Sequence, residues 1–316
     1  MAGSQARGDS LLLRLPNYVG DAVMAWPAIS RLVESGWQPT LIGRNWARDL
    51  FSASGLAVLA YPTATTQRVA TLRGAARERL TRSIILLTHS FSSALEARLA
   101  GLRPTGFRKD GRGWLLAEAM GPLPPEHQVL AYWRLADRRC PAGLPEPAIR
   151  LPISDQSRSR IAMLLSAQGP HDRFVLLCPQ AGGQHRGHSK DWPHFAELAA
   201  ELHRAGWSTV AAPGPGEAEA FRARLPDSLL FTGLGLNEVA ALAERASLTV
   251  ANDCGLGHLA ASAGRPVISL FGSTEPARTR PWSDRSTVLG GGGRWPTLQT
   301  TLETVLPSLE PLPAAG

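Results

Sequence analysis

Thr249-Val250-Ala251-Asn252-Asp253-Cys254-Gly255-Leu256-Gly257-His258-Leu259-Ala260-Ala261 decides how this chain folds. A β-branched apolar run stops at Asn-Asp, crosses two glycines and resumes as small residues at helical spacing, the pattern of a strand feeding a helix through a tight loop. Such a loop makes an anion site. Unpaired N–H groups at the helix start point outward, glycines admit a ligand to the backbone, and the positive end of the helix dipole favours phosphate or pyrophosphate. Asp253, at the lip, repels phosphate and suits neutral donors such as sugar hydroxyls. The two features together point to a nucleotide sugar.

Outward from this stretch, strands and helices alternate. In the first half, Leu11 to Leu15 is an apolar run that meets Pro16-Asn17-Tyr18-Val19-Gly20-Asp21 and then a helical pattern carrying Val23, Met24, Ile29, Leu32 and Val33. Strands are expected at Pro39 to Ile42 and Ser83 to Leu87, with helical patterns between them. Periodicity lapses in the proline-rich text from Pro141 to Pro152, which reads as a linker. The second half restarts with strands at Phe174 to Cys178, Ser208 to Ala212, Leu229 to Phe231, Leu248 to Ala251 and Pro266 to Phe271. Helices are expected at Trp192 to Ala205, Glu219 to Leu225 and Asn237 to Arg245, and from near Leu256. This βαβα order predicts two doubly wound, Rossmann-like α/β domains, residues 1–150 and 151–316, facing a cleft with ligands at the carboxyl ends of the strands.

Composition sets the class. The chain has 316 residues, 44% of them hydrophobic, and no low-complexity tract. Met1 to Ser10 is polar and lacks the apolar core of a signal peptide, and no segment approaches the roughly 18–20 apolar residues of a membrane span. A cytoplasmic protein is therefore expected. Cys140, Cys178 and Cys254 are odd in number and lack metal-ligand spacing, so reduced thiols are expected. The net charge is +7. Of 33 basic residues only Lys109 and Lys190 are lysines, which coding bias alone explains as well as function does. No nucleic-acid-reading signature occurs. Positive charge gathers at Arg68 to Arg82 and Arg98 to Arg112, where an acidic lipid or oligosaccharide would be attracted.

Four motifs in register carry a resemblance. Gly20-Asp21, Lys190-Asp191-Trp192-Pro193 before Phe195-Ala196-Glu197-Leu198-Ala199, Asn252 to Ala261, and Phe271-Gly272-Ser273-Thr274-Glu275-Pro276 resemble the bacterial ADP-heptose:lipopolysaccharide heptosyltransferases, GT-B enzymes of glycosyltransferase family 9. Tyr18-Val19-Gly20-Asp21 is somewhat closer to the heptosyltransferase II branch. The resemblance implies an inverting, metal-independent transfer of heptose from ADP-heptose to a hydroxyl of the lipopolysaccharide inner core, by an enzyme that could lie peripherally on the inner face of the cytoplasmic membrane. It departs from the family at Cys254, commonly Ser or Thr, and at Gly257, commonly Ser or Met. A thiol is a poor phosphate donor, so backbone N–H groups would carry more of that contact.

Each candidate has a plainer alternative. Asp21 is the general base by resemblance, yet an acid at a helix start also caps free N–H groups for about 1 kcal/mol. By resemblance Lys190 neutralises the departing diphosphate, with Ser189 as a neighbouring donor; otherwise it is a solvated surface charge. Glu217 resembles the residue that holds the ribose hydroxyls, or is an acid favoured by a helix dipole. His258 either binds phosphate or packs structurally. Asp253 by resemblance holds heptose hydroxyls, or is a turn residue at a strand end. Together with Cys254, Gly255, Leu256 and Gly257 these residues form the expected donor site. Arg103, Arg108, Lys109 and Arg112 are the expected acceptor surface, or a solvated face. His185 and His188 lack a carboxylate or cysteine partner, and no Asp-Xaa-Asp pair occurs, so neither a metal nor another cofactor is expected. A nicotinamide dehydrogenase would need Gly-Xaa-Gly-Xaa-Xaa-Gly after the first strand, which is missing. Transfer to a protein hydroxyl or an outer saccharide, and a non-catalytic nucleotide-sugar-binding protein, are the remaining alternatives.

Overall fold

The computed structural model describes residues 9–122, 125–169, 173–180, 184–185, 188–189 and 191–309. The chain divides into two compact units, Met1–Glu146 and Pro147–Gly316. The division falls inside the proline-rich stretch read as a linker.

The first unit runs β1 (Ser10–Arg14), α1 (Val19–Glu34), β2 (Gln38–Gly43), α2 (Trp46–Leu50), β3 (Ala57–Ala60), α3 (Thr65–Glu78), β4 (Ser83–Leu86), α4 (Phe91–Leu99), β5 (Arg103–Arg108), a 3₁₀ turn (Arg112–Leu115), β6 (Glu118–Pro122) and α5 (Gln128–Leu135). Its six strands are parallel in the order β3-β2-β1-β4-β5-β6. Leu11, Leu12 and Leu13 are fully buried, as a central strand covered on both faces requires. β5 was not anticipated, because Pro104 and Gly106 disguise it. Gly106 lies close under the Arg112 guanidinium: a Cβ would be 2.9 Å from its Nη2, so a side chain there would displace it.

The second unit runs α6 (Asp155–Gln168), β7 (Phe174–Cys178), β8 (Gln184–His185), β9 (His188–Ser189), α7 (Phe195–Arg204), β10 (Ser208–Ala211), α8 (Ala218–Arg224), β11 (Leu229–Leu230), α9 (Leu236–Arg245), β12 (Leu248–Asn252), α10 (Gly255–Ser262), β13 (Val267–Phe271), α11 (Pro276–Thr279), β14 (Ser286–Gly290) and α12 (Leu298–Ser308). Its main sheet is parallel in the order β11-β10-β7-β12-β13-β14, and β8 and β9 form a separate antiparallel pair. The helix expected from Trp192 begins at Phe195 instead. The N–H of Trp192 goes to Oδ1 of Asn252, which holds the preceding residues outside the helix.

Each sheet reverses its strand order once, between β1 and β4 in the first unit and between β7 and β12 in the second. At such a point adjacent loops leave toward opposite faces, opening a crevice at the strands' carboxyl ends. Asp21 follows β1, and the Asn-Asp-Cys-Gly loop follows β12.

Candidate active site

In the second unit, β12 pairs with β7 up to Ala251 opposite Cys178 and then delivers the loop. Asp253 still continues the ladder, its N–H donating to Leu270 O at 3.0 Å, and is 8% exposed. Cys254 is the extended N-cap of α10 and makes no side-chain capping bond, whereas Ser90, Ser154 and Thr297 cap α4, α6 and α12. Cys254, Gly255 and Leu256 are half-buried. Gly257 and His258 turn inward instead, and a Cβ on Gly257 would lie 3.1 Å from that of Ala251, a tight contact.

Two side chains that the sequence did not single out hold the ends of the chain between β7 and α7. Asn252, fully buried, donates from Nδ2 to Pro179 O at 2.5 Å and accepts from Trp192 N–H at 3.1 Å. Arg224 donates to the same Pro179 O at 3.0 Å and to Trp192 O at 2.6 Å. Trp192, also fully buried, fixes its indole N–H on Pro296 O at 2.8 Å. This clamp frames the segment that contains Ser189 and Lys190. Ser189 pairs with Gln184 in the β8–β9 ladder. Lys190 lies outside the described residues.

Glu217 occupies the N-cap position of α8 without capping it. Its Oε2 accepts from Gly214 N–H at 2.9 Å and its Oε1 from Gln180 Nε2 at 3.0 Å, so the carboxylate ties the turn after β10 to the segment after β7. Among the described residues no group of three or more His, Cys, Asp or Glu could hold a metal ion.

In the first unit, Asp21 is the third residue of α1, behind the N-cap Tyr18. It is half-buried. Burial of Tyr132 first, and then the charge of Asp21, push its phenol well above the ordinary range, so Tyr132 stays a neutral hydroxyl. His89, just past β4, stacks on Tyr132 with ring centroids 6.4 Å apart and leans on Phe107 at 6.2 Å. Burial first, then Arg112 and Lys109, bring its imidazole down to about 4.

The expected acceptor surface divides. Arg103, Arg108 and Lys109 are exposed, but Arg112 is 0% exposed and cannot meet a ligand from solvent. Its Nε donates to Phe107 O at 2.9 Å and its Nη1 to Thr88 O at 2.9 Å and Ser90 O at 3.2 Å, on either side of His89. Burial lowers the guanidinium to about 10. Arg112 is thus an internal brace. Charge counting in sequence could not separate it from its exposed neighbours.

A second buried cluster went unanticipated. Arg14 ends β1, donates to Asn17 Oδ1 at 2.8 Å and lies 4.0 Å over the Tyr61 ring. Tyr61 donates to Glu96, which also accepts from Arg68 at 3.2 Å. The only signal in sequence was an arginine closing an otherwise apolar strand.

Two doubly wound units, each presenting polar side chains at its switch point, are the architecture of the GT-B glycosyltransferases. The family profile of glycosyltransferase family 9 (heptosyltransferase) matches residues 69–307, and the chain belongs to that family. Lipopolysaccharide heptosyltransferase 2 of Salmonella typhimurium is 28% identical over 307 residues, 87% of this chain and 86% of that protein. The structure of E. coli ADP-heptose lps heptosyltransferase II superposes with a TM-score of 0.79 at 26% identity, over 95% of this chain and 98% of that one. E. coli heptosyltransferase WaaC, solved with ADP, shares the fold with a TM-score of 0.71 at 19% identity, over 95% and 99% of the two chains.

Proposed function

We propose that this glycosyltransferase moves heptose from ADP-heptose to a hydroxyl of the lipopolysaccharide inner core, with inversion and without a metal. The observation that carries the reading is the half-buried amino end of α10 at the β7/β12 switch point, flanked in sequence by Asp253. Departure of ADP builds negative charge on the diphosphate while the sugar passes through an oxocarbenium-like state. Backbone N–H groups of Cys254, Gly255 and Leu256, with the Lys190 ammonium and the Ser189 hydroxyl, stabilise that charge where it develops. Gly257 lets the helix start pack close, and His258 supports the turn from within. Asp253 accepts from heptose hydroxyls, and Glu217, already oriented by Gly214 and Gln180, takes the ribose hydroxyls. Asp21 removes the acceptor proton as the glycosidic bond forms.

Family membership and the fit with lipopolysaccharide heptosyltransferase 2 over most of both chains support this donor and acceptor. Arg103, Arg108 and Lys109 supply exposed positive charge suited to an acidic inner-core saccharide. The protein would act at the cytoplasmic face of the inner membrane, where such an acceptor is lipid-linked. The test is incubation with ADP-heptose and a deacylated core acceptor lacking the heptose, followed by mass spectrometry. Gain of one heptose with release of one ADP is expected. ADP binding without transfer to any acceptor would favour a non-catalytic nucleotide-sugar-binding protein.

A further inference from the structure

The solvent side of α4 is built the wrong way round for a surface helix. Its inward face is Ser93, Ala94, Glu96 and Ala97. Its outward face, one stripe at helical spacing, is Phe91, Ser92, Leu95, Arg98 and Leu99. Phe91 and Leu95 are more than a third exposed and Leu99 is 55% exposed. Trp114, in the 3₁₀ turn after β5, is 73% exposed and meets Phe91 with ring centroids 6.2 Å apart. Single exposed apolar residues are ordinary, but four large ones in one strip are not.

A collar of cations borders the strip. Arg98 lies within it. Arg73 donates to Leu99 O at 2.8 Å and so stands at its far end. The Arg108 stem passes over Gly113, beside Trp114, and Lys109 is exposed next to it. Asp110 is the exposed acid of that loop. Glu96 is buried beneath the helix and engaged by Tyr61 and Arg68.

We propose that this face of α4, with Trp114, docks on an anionic lipid surface. A protein interface also accepts an arginine among apolar residues but is poor in lysine. A positive border, Arg73, Arg108 and Lys109 around Arg98, matches a surface of phosphates. There an arginine between leucines lays its stem along acyl chains and raises its guanidinium to lipid phosphate. The Trp114 indole favours the same boundary depth, and Phe91 belongs with the leucines on the lipid side of it. Among the described residues no helix is long and apolar enough to cross a membrane. Phe91 and Trp114 follow the carboxyl ends of β4 and β5, the edge of the sheet from which the loop to Asp21 also leaves β1. Docking there would bring a lipid-linked saccharide to the acceptor side of the first unit, so the inference rests on the acceptor class proposed above.

The test is cosedimentation of the full chain with vesicles, without donor or acceptor. Binding is expected to vesicles of phosphatidylcholine mixed with phosphatidylglycerol, little to phosphatidylcholine alone, and less in high salt. Each basic residue near an anionic surface contributes about fivefold (about 1 kcal/mol), so Arg73→Glu with Arg98→Glu should weaken binding roughly 25-fold or more. Leu99→Ser with Trp114→Ser should weaken it at least tenfold, with the melting temperature and transfer to a deacylated acceptor unchanged. A chain that stays in the supernatant with anionic vesicles, or double variants that bind like the wild type, would overturn the proposal. So would a dimer that these substitutions dissociate while no vesicle binding is seen, which would make a second copy the occupant. Vesicle binding without transfer to the deacylated acceptor would instead count against the functional reading and leave the docking surface standing.

Discussion

Replacing Arg112 by methionine removes a guanidinium that serves three backbone carbonyls from two chain segments. Buried carbonyls left without donors cost about 1–3 kcal/mol each before relaxation. A net loss of about 3 kcal/mol is expected, read as a fall of roughly 6–12 °C in melting temperature. Arg103→Glu and Arg108→Glu, on the surface, should change stability by no more than about 0.5 kcal/mol; calorimetry of the three variants separates brace from surface charge. His89 gives a pH signature. Its folded value of about 4 lies below the ordinary 6.5, so the unfolded chain takes the proton first and stability falls as pH drops from 6.5 toward 4. About 2 kcal/mol should be lost between pH 7 and pH 5 from this group, and urea unfolding of His89→Asn at the two values should show that much less of a difference. At Lys190 the reading is of a point charge on phosphate. Lys190→Ala should weaken ADP binding about tenfold or more by titration calorimetry, and an unchanged affinity would remove it from the donor site.

At the scale of elements, strand–loop–helix units were legible because buried parallel strands are uninterrupted apolar runs. Leu11 to Leu13 and Phe174 to Cys178 announce themselves. β5 did not, since Pro104 and Gly106 interrupt its apolar run, and Gly106 lies against Arg112. The Lys-Asp-Trp-Pro motif was visible, but Asn252 and Arg224, which hold its Trp192, lie far along the chain, and no local pattern links them. Gly272 is similar: a Cβ there would lie 2.3 Å from the Trp295 indole, a contact invisible without the fold. The clamp makes a prediction. Asn252→Ala leaves the buried Trp192 N–H without its acceptor, while Pro179 O keeps Arg224. It should cost about 1–3 kcal/mol in urea unfolding and raise the Kd for ADP, because the segment after β7 loses one of its two holds. Normal stability together with normal ADP affinity would show that Arg224 suffices.

For the whole molecule, both doubly wound sheets follow from βαβα order, and two switch points follow from the sheets. Four motifs in register carried the family resemblance, and the family match across residues 69–307 agrees with it. What sequence could not give was the inside of the first unit, where Arg14, Tyr61, Glu96 and Arg112 look like ordinary surface residues until packing buries them. In the proposed mechanism Asp21 acts as the base and not as a helix-start acid alone. Asparagine keeps the size and the hydrogen-bonding reach of the side chain but cannot take a proton. The direct measurement is single-turnover heptose transfer by Asp21→Asn, with its melting temperature and ADP affinity taken alongside. A fall in rate of roughly 10²–10⁴, with folding and ADP affinity intact, is the predicted result. Near-normal transfer by a normally folded Asp21→Asn protein would contradict it.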